Sequence, residues 1–171
     1  MMFLVSIQAC SLGLVCIVSS ERGIRSVSVG DDEDVLLEEA CRACPGEVMG
    51  FAPTLPGGID ELVIDALESG RPHSVALDLV GTDFQKKVWD ALRKIPHGEV
   101  VTYSELARMA GSPGAHRSAG SACGKNPAAV LIPCHRAVSS SGSGGAFRWG
   151  ARMKETLLER ETAGAFVGES P

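Results

Sequence analysis

With 171 residues, 44% of them hydrophobic and 22% charged, the chain has ordinary globular composition and enough length for a sizeable core in one or two domains. No stretch offers the ~20 consecutive apolar residues of a membrane span. Residues 1–20 are apolar but lack a basic start and are broken by Gln8, Ser11 and Gly13, so neither a membrane protein nor an exported one is expected. The net charge of -5 is unevenly divided: residues 1–80 carry 4 Lys/Arg against 13 Asp/Glu, and residues 81–171 carry 12 against 8. The second half fits either a basic face turned to a polyanion or an ordinary surface beside an acidic, solubilising half.

In chain order, residues 3–9, 12–18 and 24–29 are rich in Val, Ile and Leu and separated by turn residues, which predicts a small antiparallel meander. The acidic run 31–34 suits the start of a helix reaching Cys44. Cys41 and Cys44 form a lone C-x-x-C with no second pair at zinc spacing. Together with the absence of an export signal, this makes the six cysteines free thiols in an intracellular chain. Residues 45–58, rich in Pro and Gly, read as a loop, 59–67 as a helix and 75–80 as a strand. This half carries no residue with evident chemistry and reads as a scaffold.

From Gly81 the pattern changes to helices with explicit start signals. Thr82 and Gln85 form a capping box, followed by an apolar stripe of Phe84, Val88, Leu92 and Ile95 with Trp89 beside it as core. Pro96-His97-Gly98 ends that helix, and Val100-Val101 is a short strand. Thr102 and Glu105 form a second capping box on a helix to Ala110, closed by Gly111. Ser112 as cap and Pro113 at the first helical position predict a third helix to Cys123. Helix, short Gly turn, helix is a helix-turn-helix outline. Ala115, Ser118, Ala119, Gly120, Ser121 and Ala122 are all small, with Arg117 the one long cation among them. Such a helix fits a groove only ~6 Å wide, as in the DNA minor groove, and equally fits close helix-helix packing.

Residues 130–138, V-L-I-P-C-H-R-A-V, set a thiol, an imidazole and a guanidinium on consecutive positions. A thiol attacks as thiolate, and His135 or Arg136 is placed to favour that form. Neighbours in extended chain point to opposite sides, so His135 reaches Cys134 only through a tight turn or by way of a water. A buried structural cysteine beside an exposed histidine fits the same three letters.

I-P-C-H-R at residues 132–136 resembles the active-site signature of the O6-alkylguanine-DNA alkyltransferases, the methylated-DNA–protein-cysteine methyltransferases. The same order and spacing are kept by G-T-D-F-Q-K-K-V-W-D-A-L-R-K-I-P-H-G-E from Gly81, T-Y-S-E-L-A from Thr102, the helix around Arg117, Asn126-Pro127, and K-E-T-L-L-E-R-E from Lys154. The first half resembles, more weakly, the start of the alkyltransferase part of bacterial Ada proteins. The resemblance implies an α+β protein. A small N-terminal sheet-plus-helix domain of ribonuclease H-like type, residues 1–80, would precede a mostly helical domain with a winged helix-turn-helix, residues 81–171.

It implies irreversible transfer of a methyl or small alkyl group from O6 of guanine to Cys134, with His135 as base through a water and Glu161 holding His135. Arg117 would fill the place of the flipped nucleotide, and Tyr103 would help rotate it and hydrogen-bond the guanine. Asn126 would brace the turn before the cysteine, and Ser140 would contact lesion or DNA. The alkyl carbon lies inside the duplex, so the nucleotide must leave the stack. The thioether product has no easy return, so each molecule would react once. The damaged DNA is itself the donor, so no cofactor is expected, and no metal, because the zinc ligands of the human-type enzyme have no matching set. The implied partner is double-stranded DNA bound in the minor groove by a monomer, in the cytoplasm or, in a eukaryote, the nucleus. Phe147 stands where the family often has Tyr, and Trp149 at a position that can be Gly, which predicts a narrow pocket favouring methyl over benzyl. A lesion-binding protein without transfer is the main alternative, disfavoured by the retained Cys134. A cysteine hydrolase lacks a separate His/Asn pair.

Overall fold

A computed structural model describes residues 1–71, 73–142 and 147–167, the side chains of 164–167 excepted. The predicted meander is β1 (Met2–Cys10), β2 (Gly13–Ser20) and β3 (Gly23–Gly30), paired antiparallel. Strand β2 lies inside the sheet, and Val15, Cys16, Ile17 and Val18 are all buried. Alternation divides these side chains between two faces. Cys16 and Val18 join Phe3 and Val5 beneath Leu36 and Ala40 of α1 (Glu33–Ala43), whose N-terminus is capped by Asp32. Val15 and Ile17 face the main core, which draws on residues from both sides of position 80.

Residues 45–58 are not all loop. Val48–Phe51 form β4, parallel to β1, giving the sheet order β3-β2-β1-β4. A four-residue edge strand has no buried alternation to announce it among prolines and glycines. The reverse correction applies to residues 75–80. They make one bridge, Leu77 with Ile24, before the chain leaves for α3. Helix α2 (Ile59–Ser69) ends at Gly70, whose φ of 71° is left-handed. A side chain there would start 2.9 Å from Glu161 Cγ, so only glycine fits both the turn and the neighbour.

Both capping boxes form as predicted, on α3 (Asp83–Arg93) and α4 (Tyr103–Met109). Trp89 is buried in α3 and donates its indole N–H to the Ala122 carbonyl at 2.9 Å, fastening α3 to α5 (His116–Gly124). The expected start of that last helix at Ser112-Pro113 is corrected: Gly114 sits at φ 87°, outside helical space, and Ala115 is the N-cap. Arg117 therefore occupies the first turn. The chain then passes through a 3-10 turn at Cys134–Arg136 into β6 (Ala137–Val138), which pairs parallel with β5 (Val101–Thr102), and ends in α6 (Ala151–Val167). Val101 opposite Ala137 and Thr102 opposite Val138 bring the Cys134 turn alongside the start of α4, where Tyr103 stands. No described helix is long and apolar enough to cross a membrane.

Candidate functional site around Cys134

Backbone turns set the direction of the Cys134 thiol. Leu131 N–H bonds to the Ala129 carbonyl at 2.7 Å around Val130, whose φ is 62°. This is a strained turn, and for a buried β-branched residue a rare conformation. Pro133, at φ -78° and ψ 64°, makes a second tight turn closed by Cys134 N–H to Ile132 O at 2.8 Å. The segment is anchored from outside: Val27 of β3 exchanges bonds with Pro127 O (2.9 Å) and Ala129 N (3.0 Å), so the scaffold sheet holds the entry to the turn. Asn126, fully buried, holds it from inside. Its Nδ2 donates to Ile132 O at 2.7 Å and to Cys134 Sγ at 3.0 Å, and its Oδ1 accepts from Ala128 N–H at 2.9 Å.

Cys134 is 3% exposed. Burial pushes its thiol up to about 11, although the Asn126 hydrogen bond and the nearby Lys154 charge favour the thiolate. The resting group is therefore a neutral thiol that needs a base. Its neighbour meets that need indirectly. His135 Nε2 lies 2.6 Å from Glu161 Oε1, both residues being almost wholly buried. Burial alone would raise the Glu161 carboxyl, but hydrogen bonds from His135 and Arg136 overcome it and hold the group down at about 2. An ionised Glu161 only accepts, so the proton of the pair sits on His135 Nε2. Burial keeps the imidazole from protonating, against the pull of Glu161. Nδ1 is then a bare lone pair, and it makes no hydrogen bond to the described protein.

Arg136 does not serve the thiol, in contrast to the alternative left open by its position in sequence. Its Nε and Nη2 bind Glu161 at 2.8–3.0 Å, and Nη1 donates to Ile95 O at 2.6 Å. Gly98 N–H also donates to Glu161, at 3.2 Å. Glu161 is thus the hub of a buried, charge-balanced network that fixes one tautomer of His135.

A model of the family described as 6-O-methylguanine DNA methyltransferase, DNA binding domain, matches residues 83–163. The Escherichia coli (strain K12) bifunctional transcriptional activator/DNA repair enzyme Ada is 39% identical over 153 residues, 89% of this chain and 43% of that protein. The Mycobacterium tuberculosis (strain ATCC 25618 / H37Rv) methylated-DNA–protein-cysteine methyltransferase is 43% identical over 109 residues, covering 64% of this chain and 66% of the relative. The crystal structure of Mycobacterium tuberculosis O6-methylguanine methyltransferase superposes with a TM-score of 0.77 at 30% identity, over 95% of this chain and 94% of that one. The chain belongs to the O6-methylguanine methyltransferase family. A further structure, of Mycobacterium tuberculosis OGT in complex with DNA, gives a TM-score of 0.79 at 31% identity. The chain spans less than half of the E. coli Ada protein.

In this methyltransferase-family fold, Cys134, His135, Asn126 and Glu161 come together as one buried unit. Tyr103 is half-buried, its ring facing Gly120 on α5 at 3.8 Å from where a Cβ would stand, and burial pushes its phenol up to about 12. Arg117 is exposed on α5, and Ser140 is exposed in the turn after β6. Phe147 and Trp149 meet edge to face at 5.4 Å and pack partly buried against the core that contains Cys134. Trp149 also lines a cleft with Leu12, Arg152 and Met153. Two groups went unnoticed in the sequence. Lys154, 1% exposed, donates to Ala137 O at 2.7 Å and places a cation near the thiol. Arg148 bridges the Asn126 carbonyl and Glu39. The signal for Lys154 was present: Lys154, Leu157 and Glu161 fall on one helical face, and a stripe that alternates charge with leucine and faces inward is rarely solvent-exposed.

Proposed function

We propose that this protein repairs DNA by direct reversal, as a methylated-DNA–protein-cysteine methyltransferase. It takes a methyl or other small alkyl group from O6 of guanine in double-stranded DNA onto Cys134, once per molecule. The observation that carries this reading is the buried chain Glu161–His135 with Nδ1 bare, next to a thiol that is neutral and held in aim by Asn126. The Cys134 proton passes to His135 Nδ1 through an intervening water. The thiolate attacks the alkyl carbon, an S–C bond forms, the C–O6 bond breaks, and its electron pair leaves with guanine, which takes a proton back to N1. The proton balance closes on the guanine, so neither cofactor nor metal enters the reaction.

Tyr103, kept neutral by burial, donates a hydrogen bond to the flipped guanine and crowds its phosphate. Arg117, in the exposed first turn of a helix of small residues, enters the minor groove and offsets the stacking that the nucleotide loses. Ser140 contacts lesion or backbone, and Phe147 and Trp149 wall the pocket. Helices α4 and α5 with the β5–β6 pair act as a winged helix-turn-helix in residues 81–171. Residues 1–80 serve as a ribonuclease H-like scaffold domain. The active unit is a monomer in the cytoplasm or nucleus. Incubating the protein with a duplex carrying one O6-methylguanine tests the reading: the lesion disappears as guanine is restored. Tight binding with the lesion left intact would instead indicate a non-transferring lesion sensor.

A further inference from the structure

Arg148 joins three parts of the molecule. Its Nη1 donates to the Asn126 carbonyl at 2.9 Å, its Nη2 stands 3.5 Å from Glu39 Oε2 on α1, and its guanidinium lies over the Trp149 ring at 5.4 Å. Glu39 Oε2 is buried and has no hydrogen bond among the described residues, so Arg148 is the cation that answers it. A buried carboxylate oxygen with one distant countercharge exerts a strong pull on that charge. Arg148 stands in sequence between Phe147 and Trp149, which pack partly buried against the core cluster that includes Cys134, and its charge is felt at the thiol. Cys134 is 3% exposed, so any incoming alkyl group must displace part of what covers it.

We propose that Arg148, tied to Asn126 and to Glu39 of the scaffold, is a positioning residue that holds Phe147 and Trp149 in the wall of the alkyl-acceptor pocket and thereby restricts Cys134 to small alkyl groups. The inference deepens the alkyl-transfer reading and rests on it for its substrate. The restriction itself is a property of the folded protein. Removing either anchor lets the aromatic pair move outward, and bulky groups gain more than methyl does. The effect of Arg148 on thiol acidity acts on both sizes alike and cancels in their ratio.

The test measures modification of the Cys134 peptide, by mass spectrometry, with methyl and benzyl methanethiosulfonate. In this reaction the thiolate displaces sulfinate and forms a mixed disulfide. In parallel, transfer is measured from duplexes carrying O6-methylguanine or O6-benzylguanine. With Arg148→Ala the benzyl-to-methyl rate ratio is expected to rise about tenfold, the scale of one lost charge-assisted hydrogen bond. Glu39→Gln, which keeps the shape of α1, moves the ratio the same way, and Arg148→Lys falls between wild type and alanine. A ratio unchanged in all three variants, or methyl and benzyl rates falling in parallel, overturns the proposal. If the wild-type protein transfers neither group from DNA, the alkyl-transfer reading fails, while the reagent ratio at Cys134 still decides the role of Arg148.

Discussion

Replacing Glu161 by Gln keeps the size of the hub and removes its charge. Arg136 then loses the ionised partner of its Nε and Nη2 while staying 2% exposed. Breaking a buried ion pair from one side costs about 3–5 kcal/mol. An independent route gives the same scale: the Glu161 carboxyl is held at about 2 against an ordinary 4.5, which corresponds to on the order of 3 kcal/mol. For a chain of this size the melting temperature should fall by roughly 6–20 °C. The sign follows from the lowered pKa. The contribution is fully present above about pH 4.5 and is lost as pH falls towards about 2, so the difference between wild type and variant should shrink in acid. Transfer falls for a second reason, because His135 no longer has an ionised acceptor fixing its tautomer. Loss of a positioned general base lowers the rate by about 10²–10⁴. Thermal unfolding and single-turnover transfer, measured on the same preparations, separate the two effects. Adding Arg136→Met removes the orphaned cation and recovers part of the stability but none of the rate. If Glu161→Gln transfers at the wild-type rate per folded molecule, or if the double variant recovers both quantities together, Glu161 takes no part in the chemistry.

Asn126→Ala leaves Ile132 O and Ala128 N–H buried without their side-chain partner; a loss of about 2–4 kcal/mol in denaturant unfolding is expected, with a further rise in the Cys134 thiol pKa read by the pH dependence of its alkylation. For the wild type, the His135 pKa lies below its ordinary value and that of Cys134 at about 11. A proton relay between them predicts a transfer rate flat from about pH 7 to 9 that declines only as His135 protonates in acid; a tenfold rise per pH unit across that window would mean direct reaction of the free thiolate instead. Arg117→Ala should slow transfer from duplex DNA at least about tenfold, because nothing then offsets an unstacking cost of a few kcal/mol, and should leave reaction with free O6-alkylguanine base unchanged. Equal losses on both substrates would put Arg117 in the fold rather than in nucleotide flipping.

How far the sequence carries depends on the range of the interaction involved. The capping boxes at Thr82/Gln85 and Thr102/Glu105 are satisfied within four residues and formed as read. The Ser112-Pro113 start signal is equally local, but Gly114 at φ 87° outweighs it. Strand β4 escaped because its pairing partner is β1, far back in the chain, and its side chains are only partly buried. The family pattern brought Cys134, His135, Asn126 and Glu161 to notice, and geometry joins them. It gave no warning that Arg136 turns from the thiol to Glu161, because adjacency along a chain says nothing about side once the backbone enters a 3-10 turn. The Glu39–Arg148 contact was illegible for a different reason. A glutamate on an amphipathic helix looks like a solvated charge until the tertiary fold buries one of its oxygens.

Whether Cys134 is a single-use acceptor or a turnover nucleophile is decided by one experiment. Excess duplex bearing isotopically labelled O6-methylguanine is mixed with a known amount of protein, and label is located by peptide mass mapping. A single-use acceptor gives a single burst that stops at one methyl per protein molecule, all of it on Cys134, and none with Cys134→Ala. Continued turnover beyond the amount of protein, label on any other cysteine, or binding with no label would contradict it.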